Sequence, residues 1–216
     1  MKIIVTGVTG MVGEGVLLAC LEDPRVEKVL AVARRTSGHA HPKLEELVVG
    51  DFKSMSEHEA RLAAYDACFY CAGVSSVGMK EADYTEITYE TPLRFAEALA
   101  RANPNMVLVH VSGAATDGTE QGRVMWARVK GRAENALARL PFKSVHNLRP
   151  GLMKPVPGQK HVKTAFRVAL VFYPLLNLIV GGLRLDQVAR AMLRLAEGAS
   201  DKKVLEVRDI RALAEG

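Results

Sequence analysis

Apolar segments of strand length alternate with segments of helical periodicity through the first 150 residues. Six segments rich in β-branched and other apolar residues predict strands: Lys2–Val5, Val26–Ala33, Glu45–Val49, Ala67–Cys71, Met106–Val111 and Ser144–Leu148. Three segments with helical spacing of apolar residues are Met11–Leu21, Lys80–Ala102 and Val124–Leu140. Several of the strands are apolar without alternation, which is typical of strands covered on both faces. This order predicts an α/β fold, a doubly wound parallel sheet with helices on both faces.

The pattern changes after Pro150. A stretch rich in proline and glycine is followed by the apolar segment 165–180, a predicted helix at Leu185–Glu197 and a short predicted strand at Lys203–Val207. This part is too short to bury a core of its own. We therefore expect a single domain over residues 1–216, in which residues 151–216 form a small helical elaboration or lid on the substrate side of the site.

The composition narrows the class of partner. Hydrophobic residues make up 49% and charged residues 25%, which is typical of a globular chain with a sizeable core. A net charge of +5 would suit an anionic partner, but aromatic residues make up only 6%, too few for a base-stacking platform. We therefore predict a small-molecule substrate and no nucleic acid partner. The six histidines are scattered, and we predict no metal site.

Three features bear on location. The segment 165–180 is shorter than the roughly 20 residues that span a bilayer, so we predict no integral membrane span; a lid, a homodimer face and a peripheral membrane contact remain open for it. The first residues enter a strand without signal-peptide architecture. Cys68 and Cys71, three apart on one strand, point to opposite faces and are not expected to form a redox pair. A low, odd cysteine count suits a reducing compartment, and we expect a cytoplasmic protein.

A glycine-rich turn follows the first strand and opens the first helix, with the sequence Thr6-Gly7-Val8-Thr9-Gly10-Met11-Val12-Gly13. In dinucleotide-binding turns the first glycine permits the tight turn, the second lets backbone approach a pyrophosphate, and the third allows close packing of helix on strand. The N–H groups of Met11 and Val12, beside Thr9, would face the anion at the helix N-terminus. The turn predicts a dinucleotide site, and a glycine-rich turn without a ligand is the alternative.

The end of the second strand indicates which dinucleotide is preferred. An NAD site has an acidic residue there for the ribose 2′-hydroxyl, whereas this chain has Arg34 and Arg35. Two guanidinium groups can pair with a 2′-phosphate, so we predict NADP(H) in preference to NAD(H). Further strand ends are expected to line the site through Asp51, Phe52, Cys71, Ala72 and Gly73. For Asp51, a role in holding a turn is an equal alternative.

Together these segments resemble the atypical short-chain dehydrogenase/reductases, near the Tat-interacting-protein-like and NAD(P)-dependent epimerase-like oxidoreductases. The segments that carry the resemblance are the glycine turn, Ala33–Arg35, Gly50–Phe52, Cys71–Gly73, Val111–Gly113, Val129–Gly131 and Arg149–Gly151. It covers about residues 1–155 well and the rest loosely. The resemblance implies a Rossmann fold, an NAD(P)-dependent oxidoreductase or epimerase-like enzyme acting on a small carbonyl or alcohol, and a place beside the cofactor for Pro150 and Gly151.

In that family a serine follows the fifth strand and a Tyr-x-x-x-Lys pair lies on the next helix. The resemblance implies that Ser112 orients the reacting oxygen and that Lys130 holds the nicotinamide ribose. The catalytic tyrosine position is occupied by Trp126. An indole N–H donates a hydrogen bond but is not an acid near neutral pH. The usual reductase mechanism therefore cannot operate unchanged.

Three hypotheses account for this departure. The protein binds NADP(H) as a regulator or sensor with little or no turnover; another acid, such as Tyr84 or Tyr89, replaces the tyrosine; or water supplies the proton in a slow reaction.

Overall fold

The computed structural model describes residues 1–53, 55–162 and 182–216. The predictions for the apolar segment 165–180 therefore lie outside the described residues. Within the described ranges, no helix is long and apolar enough to cross a membrane.

Seven parallel strands form one sheet with the order β3-β2-β1-β4-β5-β6-β9. Its strands are β1 (Lys2–Thr6), β2 (Lys28–Ala33), β3 (Leu44–Val48), β4 (Ala67–Tyr70), β5 (Val107–Val111), β6 (Ser144–Arg149) and β9 (Val204–Glu206). Two short strands, β7 (Leu152–Lys154) and β8 (Gly182–Arg184), pair with each other in a separate sheet. The predicted doubly wound parallel sheet is confirmed.

The helices lie between and after these strands. They are α1 (Met11–Glu22), α2 (Glu59–Leu62), α3 (Glu81–Thr85), α4 (Thr91–Ala102), α5 (Met125–Leu137), α6 (Leu185–Ala196) and α7 (Val207–Glu215). Helices α1, α5 and α6 were predicted from their apolar spacing, with ends that differ by a few residues. The single turn α2 and the C-terminal α7 were not predicted.

Alternate residues of the central strands feed two apolar layers, one on each face of the sheet. Ile3 and Val5 belong to the layer that contains α1 and α6, whereas Ile4 belongs to the layer that contains α4 and α5. Cys68 and Cys71 likewise pack against opposite layers, as predicted, and both thiols are free. Burial raises the pKa of both thiols, which disfavours redox chemistry at this pair.

The prediction of one uninterrupted helix over Lys80–Ala102 is wrong in the middle, where residues Glu86–Glu90 form a π-helical turn between α3 and α4. Pro92 lies in the first turn of α4. It has no N–H, and its ring excludes the carbonyl of the residue four positions earlier, so a regular α-helical turn cannot form there. The hydroxyl of Thr91 donates to the carbonyl of Glu86 at 2.8 Å and satisfies part of the wider turn. Such turns occur frequently at functional sites.

Candidate functional site: a nicotinamide dinucleotide cleft

The strand order reverses between β1 and β4, the position at which open α/β sheets bind ligands. The glycine turn follows β1, and Cys71 and Ala72 follow β4, so both turns lie at the same edge of the sheet. The hydroxyl oxygen of Thr6 accepts hydrogen bonds from the N–H groups of Cys71 at 3.1 Å and Ala72 at 3.2 Å. A buried threonine therefore fixes the two turns against each other.

The three glycines of the turn have different physical roles. Gly7 has φ +71°, and a Cβ there would lie 2.7 Å from the backbone of Cys71 and Ala72. A Cβ at Gly13 would lie 2.3 Å from the carbonyl oxygen of Gly7. At Gly10 the nearest atom to a built Cβ is 3.4 Å away, so backbone packing does not exclude a side chain there. The helix α1 starts after Gly10 with no side-chain cap, which leaves its first N–H groups available to an anion.

A cleft of about 840 Å³ opens at this edge. It is lined by twelve of the predicted cofactor residues: Gly7, Thr9, Gly10, Met11, Val12, Arg34, Arg35, Asp51, Phe52, Cys71, Ala72 and Gly73. Gly13 does not line the cleft. It packs against the backbone at the end of β1 instead, and its lack of a side chain lets α1 approach β1. The volume lies within the range of pockets that bury most of a small ligand. The glycine cradle and the basic rim fit a dinucleotide.

Four cleft residues that the sequence analysis missed are Lys53, Tyr70, Ile87 and Thr91. Lys53 adds a third cation beside the two arginines and forms an ion pair with Glu86 on the π-helical turn. Its position directly after the predicted Asp51-Phe52 pair was the available signal. The other three reach the cleft through tertiary packing, which the sequence pattern does not report.

Arg34 and Arg35 are exposed at the end of β2. Neither guanidinium has an ion pair or a hydrogen bond with any residue of the described part of the chain. Glu46, a carboxylate on the adjacent β3, instead accepts the N–H of Ser37 at 2.6 Å. The two positive charges therefore remain available to a ligand phosphate.

Asp51 and Phe52 line the cleft, but their side chains also have structural roles. A carboxylate oxygen of Asp51 accepts the N–H of Lys53 at 2.7 Å, which is the turn-holding geometry given above as the alternative. The ring of Phe52 packs edge-on against Phe95, with 5.4 Å between centroids. Phe52 therefore forms an apolar wall.

The residues expected beside the nicotinamide lie one strand further along the sheet. The register pairs Tyr70 of β4 with His110 of β5, so Ser112 leaves the sheet beside the end of β4. Ser112 is buried, and its hydroxyl shares a hydrogen bond with that of Thr116 at 3.2 Å. Besides Gly13, five predicted residues do not line the cleft: Ser112, Trp126, Lys130, Pro150 and Gly151. Their roles remain predictions.

Lys130 lies on α5 with its side chain against Gly113. A Cβ built on Gly113 would be 3.6 Å from the Cδ and Cε atoms of the lysine. Burial lowers the pKa of Lys130, and the charge of Glu134 only partly opposes the shift. The Glu134 carboxylate is held by Arg149, with Nη2–Oε2 at 2.6 Å and Nε–Oε1 at 3.0 Å.

His110 lies beneath this site on the face that α5 covers. Burial, followed by the charge of Lys130, lowers the pKa of His110 to about 4, so the imidazole is neutral near pH 7. Its Nδ1 lies 2.9 Å from the side-chain oxygen of Asn147 on β6. Since that amide oxygen is an acceptor, Nδ1 carries the proton.

The positions of Trp126, Tyr84 and Tyr89 bear on the missing acid. Trp126 is half-buried in the first turn of α5. Tyr84 is buried, and the ring of Tyr89 lies under the guanidinium of Arg132, 4.0 Å from the centroid. Neither tyrosine lines the cleft. The geometry therefore gives no support to either as the replacement acid.

A buried carboxylate, which sequence reasoning missed, joins the glycine turn to later segments. Glu14 of α1 is fully buried and accepts the N–H groups of Lys160 at 2.6 Å and His161 at 2.8 Å. His39 Nε2 lies 2.9 Å from the same carboxylate. Burial raises the pKa of Glu14, but the hydrogen bonds from Lys160, His39 and His161 outweigh it, and the pKa falls below its ordinary value.

The model of the NAD dependent epimerase/dehydratase family matches residues 3–130, more than half of the 216 residues. The chain belongs to this family. Membership confirms the resemblance to epimerase-like short-chain dehydrogenases. Because the family is one of NAD-dependent enzymes, it also supports binding of a nicotinamide dinucleotide at the glycine turn.

One curated relative of this epimerase/dehydratase family member is "Protein fmp52-1, mitochondrial" from Aspergillus terreus, which is 30% identical over 154 residues. That match covers 68% of this chain and 64% of the relative. For two curated relatives at 30% identity, the chain spans only 52% and 64% of their lengths.

Solved structures share the fold. "MoeE5 in complex with UDP-glucuronic acid and NAD" is 19% identical with a TM-score of 0.69, over 95% of this chain and 75% of that one. A short-chain dehydrogenase from Burkholderia cenocepacia in complex with NADP is 16% identical with a TM-score of 0.67, over 100% of this chain and 91% of that one. One complex holds NAD and the other NADP, so the preference for NADP(H) stays a prediction.

The expectation of a cytoplasmic location is wrong. Four fungal relatives have names that describe them as mitochondrial. The cysteine count indicated only a reducing environment, and that property does not distinguish one intracellular compartment from another.

Proposed function

We propose that this protein is an NADP(H)-dependent oxidoreductase of the epimerase/dehydratase family that acts on a small carbonyl or alcohol. The observation that carries the proposal is the pair of exposed arginines, Arg34 and Arg35, on the wall of the glycine-turn cleft without partners among the described residues. A 2′-phosphate would supply the missing counter-charge, and an unphosphorylated ribose would not.

Each part of the cleft has a physical role in this function. Gly10 and the first N–H groups of α1 would receive the pyrophosphate. Arg34 and Arg35 would hold the 2′-phosphate through charge-assisted hydrogen bonds. Phe52 and Ile87 give the cleft apolar walls that exclude water from bound ligand. When bound, the nicotinamide would supply or accept the hydride, and Ser112 and Lys130 would orient the substrate oxygen.

Calorimetric titration with NADPH and NADH tests the cofactor choice. We expect wild-type protein to bind NADPH at least about 10-fold more tightly, because bidentate arginine–phosphate pairs are the stronger kind of hydrogen bond. Replacing Arg34 and Arg35 together with alanine should abolish that preference and leave NADH binding nearly unchanged. The matched control is Arg208→Ala, an exposed arginine on α7.

Two results would count against this proposal. Equal affinity of the wild-type protein for the two cofactors would contradict the role of the arginines. If the protein binds neither cofactor, the glycine turn has only a structural role and no ligand.

Trp126 favours a second function, an NADP(H)-binding regulator or sensor with little turnover. The variant Trp126→Tyr separates the two. A gain in NADPH-dependent reduction of small carbonyls would indicate an oxidoreductase weakened by loss of its tyrosine. Unchanged NADPH binding with no reduction by either protein would support the regulator.

A further inference from the structure

Helix α5 presents a lysine without a counter-ion beside the end of β5. The side chain of Lys130 packs against Gly113, the residue that follows Ser112. Among the residues that the structure describes, its ammonium forms no hydrogen bond and no ion pair. Lys130 is half-buried, and since a desolvated cation is normally paired, this arrangement needs a physical explanation.

The carboxylate that would ordinarily pair with Lys130 is occupied. Glu134 lies one helical turn further along α5, at the spacing that favours ion pairs. Both of its oxygens are taken by Arg149, whose side chain is 15% exposed while that of Glu134 is 3% exposed. Lys130 is therefore left partly desolvated and incompletely neutralised.

The other elements around α5 supply no substitute. From β5, His110 interacts with Lys130 as a neutral imidazole, and from β6 the cation Arg149 is bonded to the carboxylate of Glu134. From α3, the carboxylate of Glu81 is paired with Arg128 at 2.9 Å from both oxygens. The π-helical turn contributes Tyr89, whose ring is covered by Arg132 on α5.

We propose that Lys130 itself donates the proton to the substrate oxygen, in place of the tyrosine that Trp126 has replaced. The proposal rests on the proposed oxidoreductase function. An ammonium N–H bond breaks and an O–H bond forms on the carbonyl oxygen, while the carbonyl carbon gains a hydride from NADPH. The carbonyl is reduced to an alcohol, NADPH is oxidised to NADP⁺, and water returns a proton to the neutral amine.

The surroundings of Lys130 suit a lysine that donates a proton to the substrate oxygen. General acids work best when their pKa lies near the operating pH, and partial burial lowers the pKa of Lys130 in that direction. The indole of Trp126 cannot act as this general acid, because its N–H donates a hydrogen bond but is not an acid near neutral pH. The buried hydroxyl of Ser112 lies beside Gly113 and would orient the same oxygen.

The first test requires no cofactor. Trinitrobenzenesulfonate reacts only with neutral amines, and mass spectrometry reads each modified lysine separately. The pH midpoint for modification of Lys130 should lie below that of Lys143, an exposed lysine on the loop before β6, when each is normalised to its own plateau. An equal or higher midpoint for Lys130 would overturn the proposal.

The second test uses NADPH and phenanthrenequinone, a reactive dicarbonyl, as the probe. The substitution Lys130→Arg keeps a positive charge but removes the ability to release a proton. In the wild-type background it should lower kcat by about 100-fold, the lower range for a general acid. In the Trp126→Tyr background the same substitution should cost far less, because the tyrosine then supplies the proton.

The two backgrounds separate proton donation from positioning. An equal loss in both would show that Lys130 only holds ribose or substrate, and would overturn the proposal. So would the absence of quinone reduction by wild-type protein that binds NADPH. Failure of NADPH to bind at all would instead contradict the proposed function, while the labelling midpoint would still report on Lys130.

Discussion

At the level of single residues, the predicted positions for which the structure gives a physical reason are those governed by local backbone geometry. Gly7 and Gly13 follow from the spacing of a strand, a tight turn and a helix, and the structure gives each a steric reason. Glu14 and Lys53 were missed because their partners lie far away in sequence. Sequence reasoning identified Trp126 as a departure, but the absence of a counter-ion for Lys130 depends on Arg149 and required the fold.

The steric reason for Gly13 predicts a loss of stability in Gly13→Ala. A Cβ there meets a backbone oxygen that cannot rotate away, so we expect the free energy of unfolding to fall by about 1–3 kcal/mol, as for overpacked cores. Gly50→Ala is the matched control, because nothing lies within 4 Å of its built Cβ. Urea unfolding of both variants measures the difference. Wild-type stability in Gly13→Ala would show that α1 does not pack on β1 as described.

At the level of elements, the strands and long helices could be predicted because their apolar residues follow the pattern of a strand or helix that is buried on one face or on both. The single turn α2 is too short to show a period. The π-helical turn at Glu86–Glu90 depends on Pro92, which the helical pattern of its neighbours conceals. The pairing of β7 with β8 joins segments that are about 30 residues apart, so no local signal predicts it.

The contacts of Glu14 connect α1 with residues 159–161, so the substitution Glu14→Gln should weaken the attachment of this stretch to α1. The amide replaces one acceptor oxygen with a donor that faces a buried N–H, so we expect a loss of about 1–3 kcal/mol. Limited proteolysis should cut the stretch 156–162 faster in the variant than in wild type. Gln159→Glu is the comparison variant, because the side chain of Gln159 also links this stretch to α1 by donating to the carbonyl of Met11 at 2.6 Å. Equal cleavage rates in Glu14→Gln and wild type would contradict this role.

The same carboxylate gives a dependence on pH with a defined sign. The pKa of Glu14 is lower in the folded protein than in the unfolded chain. Its contribution is therefore present above the unfolded pKa and is lost as the pH falls through the folded pKa. Urea unfolding between neutral and acidic pH should show a smaller acid-induced loss in Glu14→Gln than in wild type. An identical acid-induced loss would show that Glu14 does not titrate in this way.

At the scale of the whole molecule, the parallel order of the strands places the ends of β1, β2, β3 and β4 at one edge, where the cleft opens. This much follows from alternation of strands and helices along the chain. The C-terminal part adds β9 to the same sheet, and α6 packs against α1. That residues 151–216 act as a substrate-side elaboration is still a proposal, and a homodimer stays a prediction for a sizing experiment.

Cofactor binding should stabilise the whole fold, because a ligand that binds only the folded state shifts unfolding by mass action. At a concentration of 100 times Kd, the gain is about 2.7 kcal/mol. We expect NADPH to raise Tm more than NADH at equal concentration, and the difference to vanish when Arg34 and Arg35 are both alanine. Equal shifts with the two cofactors in wild-type protein would contradict the preference.

The central claim, that the cleft beside the glycine turn binds NADPH, is tested most directly by the fluorescence of Trp126, the single tryptophan of the chain. Its emission overlaps the absorption of the reduced nicotinamide. We expect saturable quenching on addition of NADPH, with sensitised NADPH emission that NADP⁺ reverses by competition. Replacing Arg34 and Arg35 with alanine should shift the titration to higher NADPH concentration. Unquenched Trp126 emission at all NADPH concentrations, in folded protein, would contradict the account.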